Sequence, residues 1–143
     1  MTEATVLLVD DEKEFLEALS ARMEARGLKV QSVTSGAEAL AKATDEDYDA
    51  IVLDMLMPEM DGIETLRRLR SANPDVQVIL LTGHATVKKG IEAIKIGALD
   101  FLEKPAELED LLDKIREAKA KKMVLVQKRH EEKISEILKT KAW

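Results

Sequence analysis

The 143-residue chain has no cysteine, which excludes disulfides and thiolate metal centres. Its two histidines, His84 and His130, are too few for a histidine-rich zinc site. Aromatic residues make up 3% of the chain, too few to build stacking platforms for nucleic-acid bases. No apolar run approaches the roughly 18 residues that a membrane-spanning helix needs. The start, Met1-Thr2-Glu3-Ala4, lacks the basic stretch of a secretory signal, and the expectation is a cytoplasmic protein. Positive charge is scarce over most of the chain but not at its end. From Lys119 to Trp143, eight Lys or Arg stand against three Glu, a net of +5. With −6 overall, residues 1–118 carry −11.

What is abundant is short apolar runs without helical periodicity. Thr5–Val9, Ala50–Leu53, Val76–Leu81 and Leu99–Leu102 read as strands buried on both faces. Leu28–Val33 alternates like a partly exposed strand. Helical segments lie between them at about 13–26, 36–46, 62–72 and 86–96. Gly27 supplies one stop, Ser35 with Glu38 has capping-box spacing, and Asn73-Pro74 ends the third helix. Strands alternating with helices over short loops predict a doubly wound parallel sheet. The size suits the flavodoxin-like order 2-1-3-4-5.

That fold gathers the strand ends at one edge, where open α/β sheets place their sites. Asp10 and Asp11 follow the first strand, Asp54 the third, Thr82 the fourth and Lys104 the fifth. Asp11 and Asp54 are natural direct ligands for Mg²⁺. Asp10 stands near enough to hold a coordinated water, and the backbone carbonyl of Leu56 is a further oxygen donor. Clustered carboxylates repel one another, and a divalent cation relieves that repulsion. A carboxylate placed as Asp54 is can attack a phosphoryl group in line and become an aspartyl phosphate. Such transfer depends on positioning and charge neutralisation, which Mg²⁺, the Lys104 ammonium and the Thr82 hydroxyl would provide.

At these residues the chain resembles the receiver domain of two-component response regulators, most of all NtrC-like receivers. The matching segments are Val9-Asp10-Asp11, Leu53-Asp54-Met55-Leu56-Met57-Pro58, Asp61-Gly62, Leu81-Thr82-Gly83-His84, Gly97-Ala98 and Phe101-Leu102-Glu103-Lys104-Pro105. They are collinear over residues 5–118. The resemblance implies that a histidine kinase or a phosphotransfer protein donates the phosphoryl group to Asp54. It also implies a cis Lys104–Pro105 peptide and a switch pair, Thr82 and Phe101, that carries the signal to a protein-binding surface.

The expected organisation is a receiver domain over 1–118 and a helical extension over 119–143. No Pro or Gly follows Pro105, so the last helix reads as continuous from about 107 to 140. Such a helix is too long to pack wholly on a small domain: its far half must project, swing back or meet a partner. Met123, Gln127, His130, Ile134, Ile137 and Lys141 fall at alternating spacings of four and three, a heptad seam with three good apolar members. This points to a homodimer through the C-terminal helix and to a downstream protein target, and away from nucleic acid and membrane. A stand-alone regulator is expected, one that catalyses only its own phosphorylation and slow dephosphorylation. The alternatives are a receiver fragment of a larger transcriptional activator and an aspartate-nucleophile phosphohydrolase. Against the second, Asp10-Asp11-Glu12 is a poor match to the D-x-D such enzymes carry, and no insertion is long enough to form a substrate cap.

Overall fold

The computed structural model describes residues 3–55, 62–83 and 87–140, without the side chains of Thr82 and Val87. The described residues form five strands, β1 Thr5–Val9, β2 Lys29–Val33, β3 Ala50–Leu53, β4 Val78–Thr82 and β5 Asp100–Glu103. Five helices separate and follow them: α1 Lys13–Glu24, α2 Gly36–Asp45, α3 Gly62–Ala72, α4 Val87–Ile96 and α5 Leu108–Thr140. The strands form one parallel sheet in the order β2-β1-β3-β4-β5, as the sequence predicts.

The apolar runs have no polar alternation because helices cover both faces of the sheet. One face presents Leu7, Val9, Ile51, Leu53, Val78 and Leu80, which pack with Ala39, Leu66, Leu69 and Ala93. The other presents Val6, Leu8, Val52, Ile79 and Leu81 against Leu16, Leu19 and Met23 of α1 and Leu111, Leu112 and Ile115 of α5. Successive residues therefore serve opposite cores, as the period of two requires. Registers pair Val9 with Leu53 and Thr82 with Glu103, so the strand ends lie level.

Several local signals act as read. The Ser35 hydroxyl caps α2 by accepting from Glu38 N–H at 3.2 Å. Gly27, at φ 90°, closes α1 in the left-handed region that only glycine enters without strain. Three strand starts shift: β2 begins at Lys29, one residue later than read. β4 begins at Val78 rather than 76, because the Val76 carbonyl accepts from Arg70 Nη1 at 3.0 Å. β5 begins at Asp100 and is only half-buried, since it is an edge strand.

α5 is one helix of 33 residues, about 50 Å long at 1.5 Å per residue. It runs down the α1 face and continues beneath the lower edge of the sheet. Lys119 Nζ donates to the Glu3 carbonyl at 2.6 Å. Lys122, only 8% exposed, donates to the Tyr48 carbonyl and to Asp47 Oδ1, both at 2.6 Å. Arg129 pairs with Asp75 at 2.7 Å. The helix thus stays tied to the sheet well past residue 118, and its last turns, beyond Arg129, project.

Candidate functional site

The upper edge of the sheet gathers the ends of β1, β3, β4 and β5. Asp10 leaves β1 with its N–H bonded to the Val33 carbonyl, and Asp54 leaves β3 with its N–H bonded to the Val9 carbonyl at 2.9 Å. Backbone pairing therefore sets the two carboxylates on adjacent central strands. Both are buried, Asp10 at 3% and Asp54 at 7% exposure. Together they line a cavity of about 10 Å³ floored by Leu8, Val52 and Leu81. That volume holds about one water-sized group.

Asp10 is heavily engaged. Its Oδ1 accepts from Glu12 N–H at 2.9 Å, and its Oδ2 accepts from Lys104 Nζ at 2.6 Å. The Lys104 ammonium also lies 3.8 Å from Glu12 and 4.2 Å from the centre of the Phe15 ring. A cation over an aromatic face is attracted by the ring quadrupole. Burial alone would lower the affinity of this amine for its proton; the hydrogen bond and charge of Asp10, with Asp54 and Glu12 behind, outweigh it and raise the pKa. Lys104 is therefore a fixed positive charge at the site. The Lys104–Pro105 peptide is cis, as the resemblance implies.

Asp10, Asp11 and Glu12 bring carboxylate oxygens within 4.8 Å of one another. Asp11 and Glu12 are exposed, so water and ions reach the cluster. Hard oxygen donors around an open position, with Asp54 beside them, fit Mg²⁺.

Phe101 sits half-buried on β5, and α4 passes it so closely that Gly90 is required there. A Cβ on Gly90 would come 2.3 Å from the Phe101 ring. Gly62 similarly starts α3 against the backbone just after β3, where a Cβ would lie 2.4 Å from Met55 Cα. Leu56 and His84 fall outside the described residues, as do Met57–Asp61 and the Thr82 hydroxyl; the Thr82 backbone ends β4.

Of the residues singled out in the sequence, Asp10, Asp54 and Lys104 are brought together, with Asp11 at the rim and Phe101 on β5, two strands from the β3 end that carries Asp54. Three others were not read from the sequence. Glu12 extends the carboxylate run and was visible in it. Phe15 lies one helical turn beyond, with only the spacing as a signal. Gly90 is an isolated glycine in a helical pattern, a common mark of close packing.

A family model described as the response regulator receiver domain matches residues 6–116. The chain belongs to the response regulator receiver family. The transcriptional regulatory protein ZraR of Klebsiella oxytoca is 36% identical over 118 residues, covering 82% of this chain and 27% of that protein. The beryllofluoride-activated NtrC4 receiver domain dimer superposes with a TM-score of 0.78 at 37% identity, over 82% of this chain and 98% of that one. A CheX–CheY–BeF3–Mg complex from Borrelia burgdorferi contains a similar chain, with a TM-score of 0.73 and 25% identity over 78% of this receiver and 85% of its counterpart. The chain spans 26% of the Escherichia coli ZraR and 60% of the response regulator protein TmoT of Ectopseudomonas mendocina.

Proposed function

We propose that this receiver accepts a phosphoryl group on Asp54, from a histidine kinase or a phosphotransfer protein, in a Mg²⁺-dependent reaction. The observation that carries the reading is the pair of buried carboxylates, Asp10 and Asp54, at one cavity with the Lys104 ammonium bonded beside them. An Asp54 carboxylate oxygen attacks phosphorus while the bond from phosphorus to the donor's imidazole nitrogen breaks, and that nitrogen keeps the electron pair. Asp11 and Asp54, with Asp10 and the Leu56 carbonyl in support, would hold Mg²⁺, which would supply neutralisation of the phosphoryl charge. Lys104 adds a second positive charge, and the Thr82 hydroxyl donates a hydrogen bond. Water later attacks the phosphorus of the acyl phosphate, the bond from phosphorus to the Asp54 oxygen breaks, and inorganic phosphate leaves as the free carboxylate is regenerated.

The output is a change in protein binding through Thr82 and Phe101. The close fit of Phe101 against Gly90 links β5 to α4, so displacement of the ring is transmitted to that helix. A charge-assisted hydrogen bond from Thr82 contributes about 1.5–3 kcal/mol, enough to shift a two-state population tenfold or more. The 27% share of ZraR that the chain covers supports a second reading, in which the receiver controls further domains of a longer transcriptional regulator. Among the described residues no helix is long and apolar enough to cross a membrane, in keeping with action in the cytoplasm.

Incubation with acetyl phosphate or a phosphorylated kinase, with and without Mg²⁺, tests the reading. Labelling should require both Mg²⁺ and Asp54, and full labelling of Asp54→Asn would refute it. Thr82→Ala should still be labelled yet show smaller amide shifts across α4, β5 and the first turns of α5. Equal shifts in that variant would remove Thr82 from the switch.

A further inference from the structure

Three groups from the stretch just after β1 face the Lys104 ammonium, and they are not equivalent. Asp10 accepts from it at 2.6 Å, Glu12 lies at 3.8 Å, and the centre of the Phe15 ring lies at 4.2 Å. The Glu12 side chain is 67% exposed, so water screens its charge. Asp10 is buried, but it is also one of the carboxylates that Mg²⁺ would engage, and a carboxylate shared between two cations holds each less firmly. The Phe15 ring offers no oxygen to a metal. It attracts the ammonium through its quadrupole alone, and that attraction grows as water is kept away. The Lys104 side chain is only 16% exposed.

Phe15 is not placed as core filling. It is half-buried, and it borders both the cavity that Asp10 and Asp54 line and a second cavity of about 180 Å³ between α1 and the start of α5. Leu19 and Leu81 border both cavities as well, and Pro105, next to Lys104, lines the second. The ring thus has open space beside it where a close-packed core residue has neighbours. We propose that Phe15 is a positioning residue for phosphoryl transfer: its ring keeps the Lys104 ammonium at the upper edge of the sheet when Asp10 is drawn to a divalent cation, so that the ammonium is in place to pair with a phosphoryl oxygen on Asp54. This role rests on Asp54 being the phosphoryl acceptor. Phe15 forms no bond in the reaction. It acts through Lys104, by limiting where an ammonium on a long flexible stem can go.

Acetyl phosphate serves as the donor in the test, so that docking of a donor protein on α1 does not enter. Phe15→Leu keeps an apolar side chain and removes the quadrupole. At saturating Mg²⁺ this variant should label Asp54 about three- to ten-fold more slowly than the parent, the span expected of a partly desolvated contact between a cation and a ring. The Mg²⁺ concentration giving half the maximal rate should not change, because the ring holds no metal ligand. A maximal rate equal to the parent's would overturn the proposal, as would a loss carried only by a higher Mg²⁺ requirement. With Lys104→Met already present, Phe15→Leu should slow labelling no further. The same slowing in that background would show that the ring acts through something other than the ammonium, and would refute the role assigned to it.

Leucine also alters packing, so a second series keeps the shape of the ring. Phenylalanines bearing successively more ring fluorines, placed at position 15 of the full chain, draw electron density from the ring face in steps. Labelling should slow with each added fluorine, and equal rates across the series would leave Phe15 a packing residue only. The contact itself is read by NMR without any phosphate chemistry. The ring current should move the Lys104 side-chain methylene protons upfield in the parent, and Phe15→Leu should abolish that shift. No labelling of the parent would overturn Asp54 as the acceptor, and the role of Phe15 with it. Normal labelling with a flat fluorine series, or with no ring-current shift, would overturn the role of Phe15 alone.

Discussion

Gly90→Ala tests the coupling between α4 and β5 that the structure places at Phe101. Gly90 is a buried position within α4, and by helix propensity alone alanine there should stabilise by up to about 1 kcal/mol. The structure opposes that gain. The new methyl would stand 2.3 Å from Phe101 Cε1 and 2.5 Å from Cζ, well inside van der Waals contact. The ring must swing away from α4, and overpacking of this kind costs about 1–3 kcal/mol. The expected balance is a net loss of about 1 kcal/mol. Once the ring is removed by Phe101→Ala, the clash vanishes and only the propensity remains. Gly90→Ala should then stabilise by about 1 kcal/mol, a coupling of about 2 kcal/mol between two touching residues. Urea unfolding of the four proteins, followed by circular dichroism, measures the cycle. If Gly90→Ala stabilised both backgrounds equally, Phe101 would not pack on α4 as described, and the proposed route from Thr82 to that helix would fail with it.

Two further outcomes follow from the ion pairs. Lys104 has a pKa raised above its ordinary 10.5, so its stabilising contribution is complete below that value and is lost as pH rises through the higher folded one. Lys104→Met should be less stable than the unmodified chain at neutral pH, because it leaves Asp10 buried without its cation; the difference should shrink above about pH 10.5. Parallel stability curves across that range would contradict the pairing, and Mg²⁺ should stabilise the variant more than the parent. Lys122→Met keeps the packing of the stem but leaves the Tyr48 carbonyl without its donor, a loss of about 1–3 kcal/mol with Asp54 labelling unchanged. A chain as stable as the parent in thermal melts would mean that α5 is not anchored beneath the sheet.

The strands and their order were legible because a parallel sheet covered on both faces needs apolar residues at every position. Runs such as Val6–Val9 and Ala50–Leu53 satisfy little else. Helix ends were legible where one residue does the local work, as Ser35 and Gly27 do. The candidate site was legible in outline for the same reason: once the strands are parallel, the residues after each one share an edge.

How deeply each carboxylate is buried, and which one Lys104 reaches, was not legible. Asp10 and Asp11 are neighbours of identical chemistry, yet one is 3% exposed and bonded to Lys104 while the other is open to solvent. That difference depends on how β1 ends against Val33 and on an ammonium 94 residues away. The same holds for Phe101 against Gly90, and for Lys122, whose sequence context reads as one more solvated cation on a helix. Local sequence determines the pitch of a helix and the faces of a strand, because those follow from backbone sterics and the periodic placement of apolar side chains. It does not determine which elements come to lie together along α5. That was decided by packing in three dimensions, where the stripe of Leu111, Leu112, Ile115 and Ala118 lays the helix on one face of the sheet and so delivers Lys122 to the Tyr48 carbonyl and Arg129 to Asp75.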